Sequence, residues 1–334
     1  MPSSEPRITK LCALEPGESG DLFALLAGKE RGTTRDGKPF YRLAFRDAVR
    51  TATAMVWHDS PFFDDCESSW KRGTFFKLRG RYAETSYGPQ IDLEKLRPVI
   101  DADADDGFDP DEFYTSTRFD RQAMFQELVA LVETSMLDAP LRRLVLEILN
   151  EHEVAIVRLP GEAKRHHVAT GGFIEHVLSV TRTALFLAEK YAGHYPGLDL
   201  SQDLVVAGAV LHDMGKLDEI ELQPAGFEYT PRGRLIGHIA LGRDIVRDKA
   251  REIDRLDEEV LLRLEHIIVS HHEVPDSGSP IPPSTPEALI VFHADTLDAK
   301  LDMMATALAA PAVDDEPFTG RDNPLRRPLF RGLS

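Results

Sequence analysis

The sequence predicts two domains of different class, a small all-β barrel followed by an all-α domain. Three observations carry this reading. At 334 residues the chain exceeds what one hydrophobic core usually organises. Its first hundred residues are short β-type runs broken by glycine-containing turns, whereas almost everything beyond residue 115 has helical period. Between them, Asp101 to Asp111 is dense in like charge and lacks apolar periodicity, which reads as a solvated linker. The expected boundaries are a barrel over 1–100, an acidic linker over 101–114, a helical domain over 115–310 and a Pro- and Arg-rich tail over 311–334.

The β elements follow in order. Asp21 to Ala27 gives way to the turn around Asp36-Gly37, a strong hairpin signal, and then to the alternating Tyr41, Leu43 and Phe45. Thr51 to Trp57 forms a further run, and Ser60 to Trp70 reads as a short helix or loop. Phe75 to Tyr82 is a strand, and Tyr87-Gly88-Pro89 turns into a last strand at Ile91. Five strands with one helical insertion before the fourth is the order expected of an OB-fold barrel, an oligonucleotide-binding architecture.

The helical runs are Arg118–Thr134, Ala139–Glu151, Gly172–Ala192, Ser201–Lys216, His238–Ile253, Asp257–His271 and Thr285–Leu308. Caps support several of them, for example Ser201 ahead of Asp203, and Thr285 followed by Pro286 and Glu287. The tail carries no clear element.

Composition narrows the function classes. With 42% hydrophobic and 28% charged residues the chain reads as a soluble globular protein. No apolar run approaches the ~18 residues of a membrane helix, so no membrane partner is expected. Met1 to Lys10 lacks a secretory apolar core, and Cys12 and Cys66 make no metal or redox motif, which fits a reducing cytoplasm. The net charge of -17 alone argues against a nucleic-acid partner. Its distribution reverses that impression: residues 1–100 hold 16 basic and 14 acidic residues, leaving 23 basic against 42 acidic beyond. In the barrel, Tyr41, Phe45, Trp57, Phe75, Phe76 and Tyr82 are interleaved with Arg42, Arg46, Arg50, Lys77, Arg79 and Arg81. Alternation puts most aromatics in the core and leaves the basic set as the candidate single-strand contacts, with one or two aromatics for stacking.

Eleven of the 12 histidines follow residue 150. The centre is Leu211-His212-Asp213-Met214-Gly215-Lys216, where an adjacent imidazole and carboxylate can approach one metal site, the carboxylate bridging two ions. His176, His238, His271-His272 and Asp295 add metal-compatible side chains from four further helices. On the last helix Leu297, Leu301, Met304 and Leu308 read as a core stripe, while Asp295, Asp298 and Asp302 share another face, Asp302 as a solvated residue.

The ordered series His176, His212-Asp213, His238, His271 and Asp295 resembles the metal-binding signature of the HD phosphohydrolase superfamily. More narrowly, the chain is similar to the YhaM-type 3′-5′ exoribonucleases, which join an N-terminal OB-fold to an HD domain. The matching segments are His166-His167 ahead of Gly171 to His176, Leu211 to Lys216, Gly237-His238-Ile239, Ser270-His271-His272 and His293 to Lys300. One departure is Glu273, where the exonuclease family has glycine. A His-His-Glu run resembles instead the HD domains that open cyclic dinucleotides, although the rest of their motif is missing.

The resemblance implies one or two divalent ions held by His176, His212, Asp213, His238, His271 and Asp295, with Asp213 as the bridge and Asp298 as a further candidate. Imidazole and carboxylate ligands suit Mn, Fe, Co, Zn or Ni without choosing among them, and Mn is the favoured expectation, with Mg a further candidate. Lys216 would steady transition-state charge, and His166, His167 and His272 would contact phosphate or protonate a leaving group. Three functions follow as hypotheses. The first is a 3′-5′ exoribonuclease acting on single-stranded RNA or DNA, the barrel feeding the strand to the helical site. The second is a phosphohydrolase of a nucleotide or cyclic dinucleotide with a regulatory barrel, and the third a nucleic-acid-binding scaffold with an inactive metal site. A homo-oligomer is compatible with each.

Overall fold

The computed structural model describes residues 8–162, 167, 169–223, 226–272, 278–310 and 317–332. Two compact units make up the chain, one built on residues 1–115 and the other on residues 116–221 and 227–334.

In the first unit β1 (Ile8–Thr9) pairs in parallel with β2 (Ser19–Thr33). Then come β3 (Pro39–Arg46), β4 (Thr51–Trp57), α1 (Phe63–Ser68), β5 (Phe75–Thr85) and β6 (Gly88–Pro98). The long β2 serves two partners: its later residues pair with β3, its earlier ones with β5. An irregularity between Leu26 and Gly28 bends it between them. Because β6 pairs antiparallel to β5 and parallel to β4, the sheet closes in the order β2-β3-β4-β6-β5-β2. This is a five-stranded OB-fold barrel with its helix before the fourth barrel strand. The inward residues of each alternating run fill it, among them Leu22, Leu26, Leu43, Phe45, Val56, Phe76, Leu78, Tyr82 and Ile91.

The segment expected to be a solvated linker is folded instead. Two short 3-10 turns, Asp101–Ala104 and Pro110–Phe113, lie in it. Phe108 and Phe113 pack with Phe23, Leu25 and Phe75 on the outside of the barrel. Asp103 is only 1% exposed, because its carboxylate accepts two hydrogen bonds from Arg97 at 2.6 Å and one from the Ile100 amide. A charge run therefore concealed a buried ion pair and two aromatic anchors, which average composition does not register.

The second unit contains α2 (Arg121–Ser135), α3 (Ala139–Ile156), α4 (Gly172–His194), α5 (Gln202–Leu211) and α6 (Lys216–Glu219). A short hairpin of β7 (Ile220–Gln223) and β8 (Gly226–Tyr229) follows, then α7 (Pro231–Ile236), α8 (His238–Ala250), α9 (Glu258–Ser270) and α10 (Pro286–Ala309). Asp120, Asp138, Ser201, Thr230, Asp257 and Thr285 each cap a helix by accepting from an amide of its first turn. At the centre is α5, buried on every side from Leu204 to Leu211 and packed on α3, α4, α9 and α10. None of the helices among the described residues is long and apolar enough to cross a membrane.

Two details of the helical reading change. The run expected from Ser201 to Lys216 breaks after Leu211, and residues 212–215 form a turn. A Cβ on Gly215 would lie 1.9 Å from the His238 carbonyl oxygen, so this turn sits hard against the start of α8. The leucine stripe of α10 is also turned the other way: Leu297 and Leu301 are 50% and 54% exposed, while Val291, Ala294, Asp295 and Ala299 are buried. The helical period was right but the buried face is the one that carries the acids, because that face meets the histidines.

Candidate metal centre

Five helices deliver side chains to a common point, most of them from their ends. His176 lies in the second turn of α4, His212 and Asp213 open the turn after α5, and His238 is the first residue of α8. His271 and His272 follow the end of α9, and Asp295 lies on α10. Gly237, at φ 78°, lets the chain enter α8 abruptly enough to present His238 at its first position. His176, His212, Asp213, His271 and Asp295 are all buried.

The arrangement divides into two clusters joined by one carboxylate. His176, His212 and Asp295 bring ligand atoms within 4.8 Å of one another, and so do His238, His271 and His272. Between them stands Asp213. Its Oδ2 is 3.6 Å from His176 Nε2 and 3.5 Å from His212 Nε2, while its Oδ1 is 3.5 Å from His238 Nε2 and 3.7 Å from His271 Nε2. Asp295 likewise places Oδ1 3.2 Å from His176 Nε2 and Oδ2 3.9 Å from His272 Nε2.

These residues fit divalent ions. The buried His212, His238 and His271 Nε2 atoms and Asp213 Oδ1 have no hydrogen-bond partner, a costly condition for polar atoms taken out of water. Their spacings are too long for hydrogen bonds. They match the separation of about 3.0–3.6 Å between ligands that share an ion through bonds of about 2.0–2.2 Å.

The outer nitrogens explain why the inner ones converge. His212 Nδ1 donates to the Ala209 carbonyl at 2.8 Å, and His271 Nδ1 to that of Ile268 at 2.7 Å, each one turn back on its own helix. Two carboxylates do the same for the other pair: Asp298 accepts from His176 Nδ1 at 2.7 Å, and Glu219 from His238 Nδ1 at 3.2 Å. With Nδ1 donating outward in all four rings, every Nε2 is turned toward the cluster.

Asp298 is a hub. Besides His176 it accepts from His167 Nε2 at 3.0 Å and from the Ser179 hydroxyl. His167 is fixed in turn by its backbone amide, which donates to Asp302 at 2.8 Å, so Asp302 is engaged rather than solvated. His167, His176 and Asp298 also lie close enough to hold an ion, but the 2.7 and 3.0 Å contacts are hydrogen bonds. His166 and Glu273 lie outside the described residues.

Electrostatics follow from burial and the carboxylates. Burial disfavours the His176 imidazolium, yet Asp295 and Asp298 overcome it and push the ring up to about 9. Burial depresses His212 and, more strongly, His271. Burial also works against charge on Asp213, but the Lys216 ammonium beside it holds the carboxyl well below the usual range. Lys216 is itself buried, donating to Asp213 Oδ2 at 2.6 Å and to the Gly161 carbonyl at 2.7 Å.

In the barrel, most of the candidate nucleic-acid-binding side chains are engaged. Arg46 donates to the Phe113 carbonyl and Arg50 to those of Leu11 and Leu14. Lys77 pairs with Asp103 and Asp106, Arg79 with Asp21, and Arg81 donates to the Gly17 carbonyl. Arg42 is exposed on the outer face of β3. Its cross-strand neighbours are Met55 on β4 and Glu30 on β2, and the next pair outward on β3 and β4 is Phe40 with Trp57. These two rings lie 5.3 Å apart at 50°, and Trp57 is 45% exposed. The sequence reading did not single out Phe40 or Glu219. Strand alternation could have placed Phe40 beside Arg42, whereas nothing in the order of residues marks Glu219.

Residues 173–300 match the HD domain family. The helical unit thus carries an HD domain, the domain of a superfamily of metal-dependent phosphohydrolases. Among solved structures the chain is similar to a domain of replication protein A from Methanococcus maripaludis, at 15% identity over 28% of this chain and 94% of that one, with a TM-score of 0.23. It is similar to a replication protein A heterotrimer bound to ssDNA at 18% identity, over 28% and 66% of the two chains, TM-score 0.21. An asparaginyl-tRNA synthetase from Entamoeba histolytica matches at 9% identity over 43% and 35%, TM-score 0.22.

Proposed function

We propose that this chain is a metal-dependent 3′-5′ exoribonuclease, releasing nucleoside monophosphates from single-stranded RNA and, as a second substrate, from single-stranded DNA. The observation that supports it most is Asp213, whose two oxygens face two separate histidine clusters. Two divalent cations held there, manganese first among them, would when bound lower the pKa of water and neutralise charge on the phosphoryl oxygens of an in-line displacement.

The chain's own residues hold and orient. His176, His212, Asp295 and Asp213 Oδ2 form one ligand set; His238, His271, His272 and Asp213 Oδ1 form the other. Lys216 fixes the shared carboxylate, and its ammonium offsets the negative charge gathered in a buried site. His167, bonded to Asp298, serves to hold His176. A polymer substrate rather than a free nucleotide is favoured by the barrel face, where Phe40 and Trp57 offer rings for base stacking and Arg42 a cation for phosphate. The polarity rests on the family resemblance.

The test is a labelled RNA hairpin with a single-stranded 3′ tail, incubated with the full chain in Mn²⁺ and resolved by length. A ladder of single-nucleotide steps that stalls at the base of the stem is expected. Internal cuts, or passage through the stem at the rate seen on the tail, would overturn the exonuclease reading.

A further inference from the structure

The C-terminal segment, which no step above uses, is folded. Phe318 and Phe330 form an antiparallel bridge, the Thr319 amide donates to the Leu329 carbonyl at 2.8 Å, and the Arg331 amide to that of Pro317 at 2.7 Å. The Asn323 side chain locks the intervening turn by donating to the carbonyls of Gly320 and Arg327, both at 2.8 Å, while its oxygen accepts from the Leu325 amide. Leu329 is buried and anchors this clasp.

What the clasp presents is basic and aromatic. Residues 317–334 hold four arginines and one acidic residue, in a chain of net charge -17. Arg321, Arg326 and Arg327 are exposed, and none makes an ion pair among the described residues. The Phe318 and Phe330 rings lie 5.3 Å apart and are about half exposed, at 49% and 54%. The Arg331 guanidinium lies 3.5 Å from the Leu308 carbonyl oxygen, near the end of α10. Thirteen residues separate Leu308 from Asp295 on that helix, which at 1.5 Å per residue is ~20 Å.

We infer that the clasp is a second contact for single-stranded nucleic acid on the helical unit, taking phosphates on Arg321, Arg326 and Arg327 and a base on the Phe318–Phe330 pair. Guanidinium groups match phosphate oxygens in geometry, and bases of any sequence stack on exposed rings. A loop already locked by its own hydrogen bonds loses little conformational entropy on binding. An acidic protein surface with an apolar centre would also complement the arginines and rings, but a site built for it would not bind U20 with a salt dependence set by phosphate contacts. The inference rests on the nucleic-acid reading proposed above, and adds that a strand engaged at the metal centre is also held near the far end of α10, so that only chains longer than a few nucleotides reach both points.

The test replaces Arg321, Arg326 and Arg327 together with glutamine in the full chain. Binding of 5′-fluorescein-labelled U20 is followed by anisotropy across a salt series with metal chelated, and turnover of a dinucleotide and of a small chromogenic phosphodiester is measured with Mn²⁺. For three lost phosphate contacts the slope of log K against log salt should become shallower by about 2, at ~0.7 per contact. Affinity at low salt should fall at least tenfold, with both short-substrate turnovers unchanged. Equal affinity and slope in variant and parent, in a parent that binds and degrades U20, would overturn the clasp contact alone. A parent that hydrolyses the chromogenic ester but does not bind U20 would overturn the nucleic-acid reading together with it.

Discussion

Asp298 and Asp213 occupy the same cluster but do different work. Asp213 places an oxygen toward each histidine set, so alanine there should abolish phosphodiester turnover and remove bound metal. Asp298 faces only the outer nitrogen of His176, together with His167 and Ser179. Asparagine offers one carbonyl oxygen where the carboxylate offers two, so at least one of the three donors then meets an amide N–H₂. We predict that Asp298→Asn retains the fold and weakens metal affinity by about 10–100-fold, the usual cost of losing a partner behind a ligand. Metal titration by calorimetry checks this, and affinity equal to the parent's would show that His176 needs no carboxylate to orient it.

At the scale of elements, the acidic segment after β6 stabilises the barrel instead of merely leading away from it. The Arg97 guanidinium, helped by the Ile100 amide and Lys77, overcomes burial and holds the Asp103 carboxyl far below its ordinary value. A carboxyl depressed in the folded state stabilises that state at any pH above its unfolded value, near 4, and the contribution is lost as pH falls through the folded value. Asp103→Asn should therefore destabilise the barrel at neutral pH by about 1.5–3 kcal/mol, the range for a hydrogen bond to a charged group. The difference from the parent should shrink below pH 4. The chain's two tryptophans, Trp57 and Trp70, both lie in the barrel unit, so urea melts followed by tryptophan fluorescence report this unit directly. A pH-independent difference would mean that packing of the 3-10 turn, and not the ion pair, is what the substitution disturbs.

For the whole molecule, the proposed function places the chemistry in the second unit and the base-stacking face in the first. Every proposed metal ligand lies in the second unit, as do the side chains and carbonyls that orient them. The stacking rings Phe40 and Trp57 lie in the first. A fragment of residues 116–334 is expected to fold, bind metal and hydrolyse a small chromogenic phosphodiester at close to the parental rate, while its efficiency on long single-stranded RNA falls at least tenfold. Circular dichroism and kcat/KM on the two substrates measure this. Undiminished efficiency on RNA would place substrate capture in the helical unit alone.

Much of this protein was legible in the order of its residues. Alternation in Tyr41, Leu43 and Phe45, the Asp36-Gly37 turn and the helix before Phe75 specified the barrel, because a strand's two faces and a hairpin's geometry are local properties. Spacing and capping marked seven helices, and the histidine and aspartate residues on them pointed to the candidate metal centre. Tertiary structure alone decided which face of α10 is buried, since Leu297 and Asp298 have equal claim by period and only the position of His176 chooses between them. It also decided that Arg46, Arg50, Lys77 and Arg79 are occupied by carbonyls and carboxylates, leaving Arg42 exposed beside Phe40 and Trp57. Glu219 behind His238 came from structure alone, and Asp298, a further ligand candidate in the sequence, was placed behind His176 by structure for the same reason. A hydrogen bond to a ring nitrogen joins residues 19 or 122 positions apart, and no local pattern records it.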